Sequence, residues 1–345
     1  MPCVRFCRFA AALILIGMTC LPANAWWGGG HMVIALLAYR EMPPATRSRV
    51  DSLLKSHPDY RVWLNEIPAG ATDSERTGYL FAIAATWPDR IKDFRDKSVT
   101  VAFYDPTDRR HPAPVPLPVD SRYPDLLMHK DWHYSDTPIS ADGVVRANPV
   151  GASAVTQIPI CEQNLGNQKL PASVRAYYLA WLEHLVGDIH QPLHATSRYS
   201  VSYPTGDQGG NGVKLDHSLP RGPANLHSYW DSLLGDGGGG PGSISYPTDW
   251  KSIEATVAAV TTEESGLLSG FDPATRDDIS AVDWAHESLW IDQTFVYTMG
   301  PDGLSPLPEP DSGYHAAAVR MAHERAALAG HRLALVITTA LTRAE

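Results

Sequence analysis

Apolar residues recur at helical spacing along most of the chain, and alternating, strand-like runs are few. Val33, Leu36, Leu37 and Tyr39 repeat every three or four positions within residues 31–42, and Pro43-Pro44 stops the pattern, which predicts a helix. A second helix is expected over 45–56 and a third over 74–94, whose dense apolar run before Trp87 makes Asp89 emerge from a buried segment. A central helix is expected to start with Ser173 as its cap and to pack through Tyr177, Leu179, Trp181, Leu182, Leu185 and Val186. Further helical patterns cover about 249–262, 276–298 and 313–342. Between them, residues 96–130 are rich in Pro, Asp and Arg without helical period and read as a long surface excursion. Residues 197–224 read as a loop with a short β-hairpin, turned by Gly209-Gly210-Asn211-Gly212 before Val213-Lys-Leu215. The glycine run 237–242 is a link too short to imply a new domain, and no internal repeat is present. The expected fold class is mainly α, a single-domain helical bundle spanning 26–345 with a short β-hairpin.

Composition changes that picture at the N-terminus. The 345 residues are 44% hydrophobic, ample for a buried core. In the first 25, however, Arg5 and Arg8 precede an apolar run from Phe9 to Leu21, and Ala23-Asn-Ala25 offers small residues for cleavage. Residues 1–25 therefore read as a secretory signal, too short for a membrane span, and the protein is expected to be secreted or periplasmic. A lipoprotein signal ending at Cys20 is the alternative, but the Gly-Met-Thr before it suits that poorly. Cleavage removes Cys3, Cys7 and Cys20, leaving Cys161 and no intramolecular disulfide. It also removes Arg5 and Arg8, taking the formal charge from −10 to −12. Such a chain has no basic face to hold long nucleic acid by counterion release. If its substrate is anionic, local positive charge must come from bound metal.

The chemistry centres on His184-Leu-Val-Gly-Asp188-Ile-His-Gln-Pro-Leu-His194. His184 and Asp188 stand four apart and share a helix face, and Pro192 ends the helix so that His194 can return to the same side. The spacing repeats in Asn225-Leu-His227-Ser-Tyr-Trp-Asp231, with Asn225 as the N-cap. One His-Asp pair reads as a surface hydrogen bond, whereas two pairs with further His and Asp in apolar settings read as metal ligands. Imidazole with carboxylate is the donor set zinc takes when no thiolate is offered. In chain order the candidates are Trp26, His31, Asp89, His133, His184, Asp188, His194, His227 and Asp231. Trp26 joins through its main chain: after cleavage its free amine and its carbonyl can chelate one metal, so processing creates part of the site.

Six sequence words carry a resemblance: Trp26-(four residues)-His31, Trp87-Pro-Asp89-Arg-Ile-Lys92, His133-Tyr-Ser-Asp136-Thr-Pro138, His184-(three)-Asp188-(five)-His194, Gly209-Gly-Asn211 and Asn225-Leu-His227-Ser-Tyr-Trp-Asp231. In this order and spacing the chain resembles the zinc-dependent class I single-strand nucleases of fungi and plants, which hold three zinc ions and are distantly related to zinc-dependent phospholipase C. The resemblance implies one zinc among Asp89, His133, His184 and Asp188. A second uses Trp26 and His31 with Asp188 bridging, and a third His194, His227 and Asp231. It further implies that Asp136 orients the attacking water or a bound base, that Lys92 holds phosphate charge, and that Tyr134 stacks an unpaired base beside Gly210 and Asn211. The implied substrates are single-stranded RNA and DNA, cut to 5′-nucleotides, with 3′-nucleotides as further substrates. No stable protein partner is implied, and no membrane after cleavage. Core packing for Tyr134, a solvated charge for Lys92 and a turn-shaping role for Asn211 stand beside these readings. His190 has no counterpart role and is expected to be structural, as are Trp284 and Glu287. The fungal disulfides are absent, and Gln208 stands where an aliphatic residue can line the base pocket. A phospholipase C on the same cluster is the nearest rival, for which Glu would be expected at 231. A zinc-storing protein is the second, which would not require Lys92 or Asp136.

Overall fold

The computed structural model describes residues 26–92, 129–140, 151–215, 223, 225–235, 249–297 and 313–343, without the side chains of Lys92, Glu264 and Ser265. The expected signal 1–25, nearly all of the 96–130 excursion and the 237–242 link lie outside the described residues. Helix α1 (Gly28–Glu41) is buried on every face from Gly29 to Tyr39, so it is an interior element and not a surface helix. Pro44 opens α2 (Pro44–Leu54) at a position whose N–H has no helical partner anyway. The short α3 (Tyr60–Leu64) precedes α4 (Asp73–Ala84), which starts on a reciprocal Thr72–Glu75 capping box.

The single helix expected over 74–94 is two, α4 and α5 (Trp87–Lys92). Pro88 has no N–H to give to the Ala84 carbonyl and its ring crowds the preceding turn, so the helix stops and restarts. Thr86 folds back instead, its N–H and hydroxyl reaching Ile83 O at 3.0 and 2.8 Å. Helix α6 (Ala154–Gly166), which the apolar pattern did not single out, precedes α7 (Ala172–His190). The latter is the expected central helix, buried almost throughout from Ala176 onward. Ser173 is not its cap: Pro171, with φ −55° and ψ 147°, stands just outside the helix and Ser173 already lies in the first turn. Asn225 does cap α8 (Leu226–Asp231), accepting from Ser228 N at 2.8 Å. After α9 (Trp250–Ser269), the expected 276–298 helix divides into α10 (Pro273–Arg276) and α11 (Ala281–Ile291), since Ser280 caps α11 afresh and a π-turn, Asp292–Val296, ends it. Helix α12 (Gly313–Thr342) matches its pattern.

Helix α12 packs against α1, α7, α9 and α6, while α1 also covers α4. A buried ionic knot clamps the C-terminal end of α7. Arg325 and Arg332 of α12 both hold Glu287 of α11, at 2.8 and 2.7 Å. Arg332 also donates to His190 Nε2 at 2.9 Å, and Arg325 to His190 O at 3.4 Å. Burial and these two guanidiniums drive His190 well below its usual range, so it stays a neutral acceptor with a scaffold role, as expected. Trp284 is fully buried against the same knot.

The strand pair differs from the expected hairpin. Strands β1 (Thr137–Ser140) and β2 (Thr196–Tyr199) run parallel, with Thr137 opposite Thr196 and Ser140 opposite Tyr199. Gly209 and Gly210, at φ 60° and 81°, wind a turn against neighbouring chain instead of joining two strands, and Lys214 makes an isolated antiparallel bridge to Asn225. No helix among the described residues is long and apolar enough to cross a membrane.

Candidate metal centre

Helix α7 aims His184 and Asp188 the same way, with Nε2 and Oδ2 3.2 Å apart. Gly187 between them lets α1 come close: a Cβ there would sit 2.9 Å from His31 Nδ1. His31 therefore stacks on His184, ring centroids 3.8 Å apart, and brings its Nε2 to 3.3 Å from Asp188 Oδ1. From α5, Asp89 Oδ1 reaches 3.5 Å from His184 Nε2. His133 ends a 3-10 turn, Lys130–His133, with Nδ1 2.8 Å from His184 Nε2 and 3.1 Å from Asp188 Oδ2. Two overlapping groups result, His31–Asp89–His184 and His133–His184–Asp188, each offering ligand atoms within 4.8 Å of one another. A third, His194–His227–Asp231, forms where Pro192 ends α7 and a 3-10 turn, Pro192–His194, faces α8. The eight side chains are all buried.

The hydrogen bonds behind these groups are those a metal site needs. His184, His194 and His227 place Nδ1 at 2.8, 2.6 and 2.6 Å from the carbonyls of Ala85, His133 and Gly209. A carbonyl only accepts, so Nδ1 carries the proton and, in each neutral ring, the Nε2 lone pair is left for a ligand. The Ala85 carbonyl is open to His184 because the helix breaks there. Gly209 reaches His227 because a Cβ at 209 would run into Leu193 O. Both ring nitrogens of His31 and Oδ1 of Asp188, though fully buried, make no hydrogen bond. Buried polar atoms are rarely left so, and a divalent cation would satisfy His31 Nε2 and Asp188 Oδ1 together, since these two atoms face each other at 3.3 Å. Imidazoles and carboxylates without thiolate fit zinc.

Charge in the metal-free centre is shared among the ligands. Burial, then the cationic His184, hold His31 down to about 4, so it is neutral. Burial opposes protonation of His184 too, but Asp188 and Asp89 overcome it and raise the ring to about 9. Asp188, against the effect of burial, is held well below the usual carboxylate range by His184, His133 and His31. A pKa raised from 6.5 to about 9 gives stability that is complete below 6.5 and lost as pH rises through 9. The metal-free protein is therefore expected to lose thermal stability between pH 6.5 and 9. With metal bound the ring must be neutral, so this loss should be missing. Melting temperatures across that window, with and without chelator, check this; parallel curves would refute it.

The remaining sequence candidates fall around the groups. Trp26 is fully buried, its indole donating to Gly187 O at 3.0 Å, and Trp27 N donates to Asp231 O at 3.1 Å. The main chain at 26–27 thus runs between the α7 ligands and the third group. Ser135 N and Thr137 N bond to the carbonyls of His194 and Ala195, holding Asp136 alongside; burial, then Asp207 and Asp131, push its carboxyl up to about 7. Lys92 ends α5, three residues beyond Asp89. Tyr134 is half-buried and donates to Asp131 Oδ1 at 3.0 Å, which is not a core position. Gly210 lies against His227 N, and Asn211 donates to Gln208 O at 2.9 Å, shaping the turn. Sequence reasoning missed Gln191, fully buried, whose amide donates to Asp231 Oδ1 at 2.7 Å. Its place directly before Pro192, between two ligands, was the available signal.

A helical bundle that buries three imidazole–carboxylate groups is a scaffold built to hold metal ions. The S1/P1 Nuclease family matches residues 26–342, and the chain belongs to that family. It is accordingly a nuclease, a hydrolase of phosphodiester bonds. Over 335 residues it is 27% identical to Nuclease S1 of Aspergillus oryzae, a span covering 94% of this chain and 93% of that protein. A shorter stretch of 71 residues is 42% identical to Endonuclease 2 of Arabidopsis thaliana, covering 19% of this chain and 21% of that protein.

Proposed function

We propose that this chain is an exported, zinc-dependent nuclease that cuts single-stranded RNA and DNA to 5′-nucleotides and also dephosphorylates 3′-nucleotides. The observation that carries the reading is the convergence of eight buried His and Asp side chains into three groups, three of the imidazoles pinned through Nδ1 to carbonyls. Asp89, His133, His184 and Asp188 would hold one zinc. His31 and the main chain of Trp26, together with Asp188, would hold a second, and His194, His227 and Asp231 would hold a third. Residues 1–25 are the signal whose removal frees the Trp26 amine. Zinc held there would supply Lewis acidity and positive charge toward a water and a phosphate.

The chain's own residues do the rest. Asp136, with its carboxyl near 7, can accept a proton or orient a donor at neutral pH. Lys92 offers a cation to a phosphate oxygen. The half-buried Tyr134 ring, with Gly210 and Asn211, receives a base, and a face-on contact of this kind is open only to unpaired nucleotides.

Metal analysis of the processed protein, with turnover of single strands, a stable hairpin and phosphatidylcholine, tests the reading. About three zinc ions and cleavage of loops well before stems are expected. Equal rates on stem and loop would remove the base-stacking role, and turnover of the phospholipid alone would place the chemistry on lipid head groups.

A further inference from the structure

Resting on the metal-binding reading above, we propose that Gln191 is a positioning residue that fixes the orientation of the Asp231 carboxylate and thereby retains the ion at His194–His227–Asp231. The Gln191 side chain is fully buried, and its two polar ends are both used: Oε1 accepts from Leu193 N at 2.7 Å, and Nε2 donates to Asp231 Oδ1 at 2.7 Å. Because Leu193 N can only donate, the oxygen of the amide must face it, which fixes the NH2 on Asp231. One oxygen of Asp231 is therefore engaged by a donor, while the other, Oδ2, lies 3.5 Å from His227 Nε2, on the side of the ligand group. A carboxylate held in this way is fixed in orientation, with Oδ2 turned toward the ligand group.

Gln191 also ties the third group to the first two. Its backbone N–H donates to Asp188 O at 2.9 Å, and His194 N donates to its carbonyl at 3.0 Å. The residue thus contacts the main chain of one ligand, the main chain of a second and the carboxylate of a third. Two of these contacts are backbone and survive any substitution that keeps the turn. The contact with Asp231 belongs to the side chain alone.

Gln191→Glu separates the two jobs of the amide. It keeps an acceptor for Leu193 N, so the turn is preserved, but replaces the donor to Asp231 by a second carboxylate oxygen. Gln191→Met removes both contacts at similar volume. The measurement is zinc retained per chain after dialysis against a weak competing chelator, together with the melting temperature of the metal-free protein. Both variants are expected to lose one ion about 10- to 100-fold more readily than the unsubstituted protein and to keep the others, the range typical of losing a group that orients a ligand. Metal-free Gln191→Glu sets two buried carboxyls against each other, so at neutral pH it should melt below the metal-free unsubstituted protein and recover as pH falls and one carboxyl takes up a proton. In an Asp231→Asn background, Gln191→Glu should cause no further loss, because the contact it breaks has already been altered. Retention of every ion by both variants, loss of all ions together, or additive losses in the double variant would each overturn the proposal. An unsubstituted protein that bound no zinc would instead refute the metal-binding reading on which it rests.

Discussion

Asp188→Asn is expected to cost the protein at least about 100-fold in activity and more than one metal ion, the largest effect of any single side-chain change at the centre. Asp188 is the carboxylate nearest three imidazoles at once, 3.3 Å from His31 Nε2, 3.1 Å from His133 Nδ1 and 3.2 Å from His184 Nε2. An amide keeps the shape but not the charge, and its nitrogen end cannot serve as a ligand. The metal-free fold suffers separately, because His184 is a buried cation held by Asp188 and Asp89. Removing one partner of such a pair costs about 3–5 kcal/mol, reduced here by whatever His184 recovers on shedding its proton. Asp136→Asn is the contrast: it should slow turnover while leaving the zinc content intact. Metal content by mass spectrometry and denaturant unfolding of both variants decide the matter. If Asp136→Asn lost zinc and Asp188→Asn kept all of it, the two roles would be reversed.

The residues that converge were legible because their chemistry is written at fixed spacing on helices. The i and i+4 pairs His184–Asp188 and His227–Asp231 needed only a helical period, and Asn225 announced where α8 begins. What could not be read was how the groups divide. The resemblance sets Asp89 with His133, His184 and Asp188, and His31 with Trp26. The structure also sets His31 with Asp89 and His184, because Gly187 lets α1 close on α7 until the imidazoles stack. That approach is tertiary, and no local period encodes it. Three of the segments that depart from the expected pattern do so at a Pro or Gly. The break at Pro88 splits the third helix and leaves Ala85, at the C-cap of α4, to offer its carbonyl to His184, Pro171 starts α7 ahead of Ser173, and Gly209-Gly210 wind a carbonyl toward His227 instead of turning a hairpin. Two of these three breaks deliver a hydrogen bond to a ligand histidine, so the places where period counting failed lie close to the chemistry.

A chain begun with Met directly before Trp26 is expected to bind about one zinc fewer than the chain processed to Trp26 and to lose most of its activity. The reason is positional. If the second zinc is held by the amine and carbonyl of Trp26, an added residue converts that amine into an amide nitrogen, which coordinates only by losing its proton. The surroundings leave little room for adjustment. The Trp26 ring is fully buried and fixed by its bond to Gly187 O, and the next residue is tied to Asp231 O. The main chain at 26 therefore cannot slide by one residue to present the new terminus in place of the old. Trp26→Phe, processed to the same length, separates the side chain from the terminus. It gives up the indole hydrogen bond, worth about 1 kcal/mol, but keeps most of the buried ring and the free amine. It should hold full zinc and most of its activity. Mass spectrometry to confirm each terminus, zinc stoichiometry and a nuclease assay suffice. Full zinc and full rate in the Met-extended protein would show that the terminus is no ligand, while the assignments of the eight His and Asp side chains would stand on their own geometry.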